Sequence, residues 1–249
     1  MAKLSKQEAK NHEEAERILR KPKLDDDDRM FVIENWQEGA TQINGLTGAF
    51  FTPWGLATDA MLELGGWQFE GAVLDLCAGM GTLSLAALEM SRASRVVCVE
   101  LNPEYARVGR KMVPDAEWVV GSIFDHSSWG DFDHAISNPP FGKIKRAANA
   151  PRYRGSEFEY HVIDIAAHHA GFGTHIIPNS SAGFDLSNDT GYRRTEAQKY
   201  RTFVKQTGIT LEAGCGVDTR VYADRWHGVS PAVEIACVEV DQVTDDSLF

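Results

Sequence analysis

Short apolar, β-branched runs alternate with amphipathic stretches through most of this chain. AVLDLCA (72–78), RVVCVEL (95–101), EWVVGS (117–122), FDHAISN (132–138) and GTHIIPN (173–179) read as strands. Helices predicted at 81–92, 103–112 and 157–170 separate them, with Pro103 suited to a first helical turn. TLEAGC (210–215) and AVEIACVEV (232–240) predict two closing strands. Strands alternating with helices predict an α/β fold, a doubly wound and mostly parallel Rossmann-like sheet. Right-handed crossovers in such a sheet put ligands beyond the carboxyl ends of the strands.

The first 24 residues are charged, with few apolar positions, and predict a solvated helix that adds little to a core. Asp25 to Asp28 can cap a helix or form an acidic surface turn, and Met30, Ile33 and Trp36 then follow at helical spacing. The expected organisation is a helical N-terminal extension (1–45), a main domain (46–240) and an acidic tail (241–249).

Composition narrows the classes. Apolar residues make up 43% and charged residues 24%, which excludes disordered and collagenous chains. No apolar run approaches the roughly 18 residues of a membrane span, and the N-terminus lacks a signal-peptide core, so a cytoplasmic location and no membrane partner are expected. Cys77, Cys98, Cys215 and Cys237 are scattered, without a C-x-x-C pair, and read as reduced core thiols. Six histidines, His126, His134, His161, His168, His169 and His175, show no metal-ligand spacing, and His168 and His169, adjacent on a helix, should face apart; no metal is expected. A net charge of −11 argues against coating nucleic acid by bulk electrostatics. Residues 139–205, however, hold ten Lys and Arg against six Asp and Glu, enough to steer a polyanion to one face.

Two motifs carry the chemistry. After the first strand, D-L-C-A-G-M-G (75–81) offers Gly79 and Gly81 for a tight turn and close backbone approach to a ligand; position 84 is Ser84, so the third glycine of a dinucleotide fingerprint is missing. The next strand ends in Glu100, an acid able to accept hydrogen bonds from ribose hydroxyls. After the fourth comes N-P-P-F (138–141). Its two prolines fix the backbone and leave the Pro139 carbonyl without a sheet partner; with the Asn138 amide oxygen it can hold both hydrogens of a planar amine while Phe141 stacks on the ring.

With these motifs the sequence resembles the class I S-adenosylmethionine-dependent methyltransferases, and among them the amino-methyltransferases carrying N/D-P-P-F/Y/W. G-A-F-F-T-P (48–53) looks like the segment before the first strand in N6-adenine DNA methyltransferases, and E-L-N-P (100–103) like the family's ribose-binding acid. The resemblance implies a methyltransferase sheet with an antiparallel last strand, and S-adenosylmethionine as cofactor. It implies that Thr52, flanked by Phe51 and Pro53, and Asp75 meet the methionine moiety. Gly79 and Gly81, with Cys77 beside them, would meet the cofactor through backbone, and Glu100 with Leu101 the ribose. The family often has Asp after its third strand for the cofactor's adenine amine; Ser122 stands here, so Ser122 and Ile123 are assigned to that pocket, with Asp125 the alternative. Asn138, Pro139, Pro140 and Phe141 would form the catalytic loop.

The implied reaction is methyl transfer to the N6 amine of adenine in DNA. RNA adenine or guanine amines, a protein glutamine, and an idle subunit that binds cofactor or a partner are the rivals. The stretches after the catalytic motif are too short for a separate target-recognition domain, which leaves recognition to short loops, the N-terminal helices, a second copy or a partner subunit, or to nothing beyond the base and its neighbours. The best loop is 142–155, where Lys143, Lys145, Arg146, Arg152 and Arg154 surround Tyr153, a mixture suited to phosphate contact and base stacking. The stretch 191–205 is a second basic candidate. Trp226 and His227 fall in a turn before the last strand, read as a packed tryptophan, with lining of the substrate mouth the alternative.

Overall fold

The computed structural model describes residues 4–37, 50–195, 197–227 and 230–240. Six strands, β1 (Ala72–Leu76), β2 (Arg95–Glu100), β3 (Glu117–Val120), β4 (Phe132–Ser137), β5 (Ala170–Pro178) and a last one at Val233–Glu239, form one sheet. Its order is β3-β2-β1-β4-β5 followed by the last strand, which alone runs antiparallel, pairing Thr174 with Cys237. The order reverses between β1 and β4, the switch point where open α/β sheets bind ligands.

Alternate side chains explain why these runs form inner strands. Leu74, Leu76, Val97, Val99 and Ala135 enter one core, whereas Val73, Val96, Cys98 and Ile136 enter the opposite one. Helix α6 (Phe158–His169) and α7 (Gln198–Thr207) cover the first face, with Tyr160 and Phe203 stacked at 4.4 Å. Helices α3 (Trp54–Met61), α4 (Thr82–Met90) and α5 (Pro103–Met112) cover the second. Helix α3 had no counterpart in the sequence reading, because its apolar stretch shows neither a strand nor a clear helical alternation.

Three sequence expectations change. The N-terminal segment is not merely solvated: α1 (Lys6–Ile18) is closed by a Ser5/Glu8 capping box, and its Ala15 and Ile18, with Leu19, are buried. Helix α2 (Asp26–Asn35) begins with a second box, Asp25/Asp28, and leads to Trp36, 1% exposed, whose ring lies 5.6 Å from Phe51 and 5.9 Å from Tyr105. A few apolar side chains suffice because they gather into one cluster with Tyr105, Val108 and Met112 of α5. Second, 210–215 makes only one bridge, Glu212 to Cys237, and no strand. A two-residue ribbon, β6 (Phe184–Asp185) with β7 (Arg193–Arg194), forms nearby, which makes the last sheet strand β8. Third, the cysteines are free thiols but Cys215 is exposed rather than in the core. The acidic tail 241–249 lies outside the described residues.

Gly109 shows what the α5 packing demands. A Cβ there would stand 1.9 Å from the Trp118 ring, whose indole nitrogen donates to the Val113 carbonyl. Helix propensity alone would favour Gly109→Ala by nearly 1 kcal/mol. The steric conflict should reverse the sign, and a loss of about 1–3 kcal/mol in chemical denaturation is expected.

Candidate active site

The carboxyl ends of β1, β2 and β4 converge on one loop. Beyond β1 the backbone turns left-handed at Cys77 (φ 63), Gly79 (φ 59) and Gly81 (φ 83). A left-handed non-glycine such as Cys77 costs roughly 1–3 kcal/mol and persists where neighbours impose it. The Ala78 N–H donates to the Val99 carbonyl, and the Gly79 N–H donates to Glu100 Oε2 at 2.8 Å. Glu100 Oε1 accepts from the Asn102 N–H at 2.7 Å, so one carboxylate ties the glycine loop to the start of α5. Helix α4 starts at Gly81 and points its N-terminal amides toward the loop.

Asp75 sits beneath, fully buried. Ser84 donates its hydroxyl to Asp75 Oδ2 at 2.6 Å, while Oδ1 has no partner among the described residues; the buried Thr82 hydroxyl is likewise unpartnered. Burial raises the Asp75 carboxyl to about 7, with the charge of Glu100 adding to the rise. Burial raises Glu100 to about 7 too, against the lowering by the Asn102 and Gly79 hydrogen bonds.

Asn138 follows β4 directly, with its amide group donating to the Phe50 carbonyl and to the Thr52 hydroxyl, both at 2.9 Å. With both amide hydrogens committed, Oδ1 is left as acceptor. Thr52, Cys77, Gly79, Thr82 and Asn138 line one small cavity of about 20 Å³. Beside Thr52 and Pro53 opens a larger cleft of about 580 Å³, bounded by Asn35, Trp54 and Trp226. Phe141 stands 6.1 Å from Phe50, ring to ring, on the same side as Asn138's partners.

The loop leaving Phe141 is held from behind by a residue that the sequence reading missed. Glu159, 0% exposed in the first turn of α6, accepts from the Gly142 N–H at 2.8 Å and from the Ser181 hydroxyl at 2.6 Å. Its only sequence signal was an acid in the first turn of a helix rich in apolar residues.

Residues 55–151 match the family model of the methyltransferase small domain. Among solved structures, a Pyrococcus horikoshii chain provisionally named an RNA methyltransferase is 18% identical, with TM-score 0.56, over 87% of this chain and all of that one. A Listeria monocytogenes chain provisionally named a class I S-adenosylmethionine-dependent methyltransferase is 13% identical, with TM-score 0.58, over 92% of this chain and 69% of that one. The methyltransferase subunit of a type I restriction-modification system from Streptococcus thermophilus gives 15% identity and TM-score 0.58 over 88% of this chain but only 52% of that subunit. The fold is that of class I methyltransferases. A comparison with curated proteins returned no match.

The residues present fit the cofactor of that fold. An unpartnered buried carboxylate oxygen on Asp75, an unpartnered Thr82 hydroxyl and a left-handed glycine loop are the groups a polar ligand with a cationic amine would satisfy. Of the other residues expected here, Phe51 packs on the loop, 3.2 Å from where a Gly79 Cβ would be, and Pro53 caps α3. Leu101 is 67% exposed beside Glu100; Ser122 accepts from the Phe124 N–H at 3.2 Å, and Ile123 is buried next to it. Gly48 and Ala49 of the first motif lie outside the described residues.

The basic loop divides. Lys143 and Lys145 are exposed. Tyr153, expected to stack on bases, is 2% exposed and packs edge-on against Tyr160 and Phe203, so its ring offers no face to a ligand. The Arg152 guanidinium donates to Asp164, which is 0% exposed, at 2.7 Å and to the Thr207 carbonyl at 3.1 Å. Arg154 donates to the carbonyls of Ala150, Pro151 and Tyr153, and Arg146 to Asn149 and the Gly155 carbonyl. Arg152, Arg154 and Tyr153 therefore serve as the loop's internal scaffold. In the second stretch Arg193 and Arg194 pair with Asp185 and Glu212. Trp226 is buried, as expected, yet borders the larger cleft.

The two raised carboxylates set a pH dependence. Between the unfolded carboxylate range near 4 and about 7 the folded chain keeps protons that the unfolded chain has released. Their stabilisation is full below the lower limit and is lost as pH rises through about 7. The ligand-free melting temperature should therefore decline between about pH 4 and pH 7, and Asp75→Asn should flatten that decline; parallel slopes in scanning calorimetry would contradict the assignment.

Proposed function

We propose that the chain transfers a methyl group from S-adenosylmethionine to the exocyclic N6 amine of adenine in DNA. The observation that carries the reading is Asn138, whose amide hydrogens are taken by Phe50 and Thr52 so that Oδ1 stands as an acceptor at the lip of the glycine-loop cavity. The fold similarity and the methyltransferase small-domain match support the cofactor; DNA rests on F-F-T-P and N-P-P-F.

The cofactor supplies an electrophilic methyl on sulfonium. Asn138 Oδ1 and the Pro139 carbonyl accept the two hydrogens of the amine, which draws electron density onto nitrogen and aims its lone pair. Phe141 stacks on the base that carries the amine. The N–C bond forms as the S–C bond breaks, and the amine's extra proton leaves to solvent. Buried Asp75 and Glu100 position the donor, Asp75 through its free Oδ1 and Glu100 through its remaining lone pairs. No side chain acts as nucleophile. A base in a duplex must be flipped out to reach Asn138, at a few kcal/mol; the exposed Lys143 and Lys145, just after that loop, would neutralise its phosphates.

Asn138→Ala should cut transfer by about a thousandfold or more while leaving cofactor affinity nearly intact, whereas Asp75→Ala should lose the cofactor. Nucleoside mass spectrometry after incubation with DNA, RNA and protein identifies the product. N6-methyladenine in DNA is expected; label in RNA or protein instead would refute the DNA reading, and full activity of Asn138→Ala would refute the catalytic loop.

Charge removal separates the two halves of the basic loop. Lys143→Ala with Lys145→Ala should weaken DNA binding and reduce its salt slope by about 1 per lysine, without changing the melting temperature. Arg152→Ala should instead destabilise the fold by about 1–3 kcal/mol, because the buried Asp164 carboxylate loses a charged donor.

A further inference from the structure

Three histidines that the sequence spacing argued against as ligands are brought together. His126 lies in the tight turn Ile123–Ser128 between β3 and β4, and His168 and His169 end α6. Their ligand-capable nitrogens all lie within 4.8 Å of one another. His126 Nδ1 is 3.0 Å from His169 Nε2, and the three rings meet edge to face at 5.1–5.5 Å between centroids. Adjacent histidines on a regular helix point apart, but α6 ends here and passes straight into β5, so the His169 ring turns inward while His168 stays at the surface.

The surroundings orient the set. His169 Nδ1 lies 2.8 Å from the Gly130 carbonyl, which can only accept, so that nitrogen carries the proton and Nε2 presents its lone pair toward His126. Ligating histidines are held in this way, by a carbonyl or carboxylate on the nitrogen remote from the metal. Around a tetrahedral ion at about 2.0–2.1 Å, ligand nitrogens sit roughly 3.3 Å apart, within reach of small rotations of these rings.

We propose that His126, His168 and His169 form a three-nitrogen site for a borderline first-row divalent cation, Zn²⁺ above all, with water as the fourth ligand. Three neutral imidazoles without carboxylate or thiolate suit Zn²⁺, Ni²⁺ or Cu²⁺ rather than Mg²⁺ or Ca²⁺. The cluster lies at the amino ends of β4 and β5. Six residues of β4 separate that edge from Asn138, about 20 Å of strand, so the ion takes no part in methyl transfer. It would instead tie the turn that begins at Ile123, beside the expected adenine pocket, to the end of α6. The inference stands independently of the proposed reaction.

The test is Zn²⁺ binding by the untagged full chain, by equilibrium dialysis with elemental analysis, together with the visible spectrum after Co²⁺ loading. One equivalent at micromolar or tighter affinity, tetrahedral-type Co²⁺ bands and a rise in melting temperature with Zn²⁺ are expected. His168→Ala, at an exposed position, keeps the fold and should weaken binding by about a hundredfold or more, at least the effect of losing an outer-shell partner; His126→Ala should do the same. Absence of stoichiometric binding would overturn the proposal. So would Zn²⁺ binding unchanged in both variants, which would place the ion elsewhere on the chain.

Discussion

The carboxylate of Glu100 holds the site together. It ends β2, and with one oxygen on the Gly79 amide and the other on the Asn102 amide it fixes both the glycine loop and the first turn of α5. Gly79 in turn lies against Phe51, whose ring packs on Trp36 and Tyr105. A charge at this depth is costly to desolvate, and Asp75 beside it adds a second. Backbone donors offset part of the cost for Glu100. For Asp75 one hydroxyl does so, and one oxygen is left bare. The loop thus stores unmet polar demand that a cationic ligand would satisfy, which is how a pre-organised binding site differs from a well-satisfied core.

Most of the sheet was legible because its inner strands are buried on both faces, so that β-branched runs stand out from their helical neighbours. The helix at 103–112 was legible to the residue because Pro103 marks its start chemically. What was illegible depended on partners remote in sequence. Helix α1 looks solvated until α5 and Trp36 are placed against its Ala15 and Ile18. The stretch 210–215 has strand composition, but it meets the outer edge of β8 only at the Glu212–Cys237 bridge.

The candidate site divides along the same line. Residues whose role follows from backbone geometry, the glycine loop and the two prolines, announce themselves locally. Tyr153 did not, because a tyrosine among arginines looks like a stacking platform until α6 and α7 are known to close over it. Glu159 and Asp164, both fully buried on α6, were hidden for the same reason: their partners, Gly142 and Arg152, lie on the loop before the helix. Buried acids inside an apolar helix are the signal to look for, since each needs donors and those donors are the backbone of something held in place.

This placement alters how the N-P-P-F loop should be understood. Proline rigidity alone fixes φ at Pro139 and Pro140 but leaves the loop free to swing as a unit about its ends. Asn138 is restrained at the front by Phe50 and Thr52, and Gly142 at the back by Glu159, whose other oxygen takes the Ser181 hydroxyl. Two clamps on either side of two prolines leave little freedom, and the acceptor pair proposed to align an amine would lose effectiveness with displacements of about an ångström. The front clamp uses the segment next to Phe51, and Phe51 rests on Trp36 of the N-terminal extension. Helices α1 and α2 therefore act on the site through packing, by fixing the segment that orients Asn138.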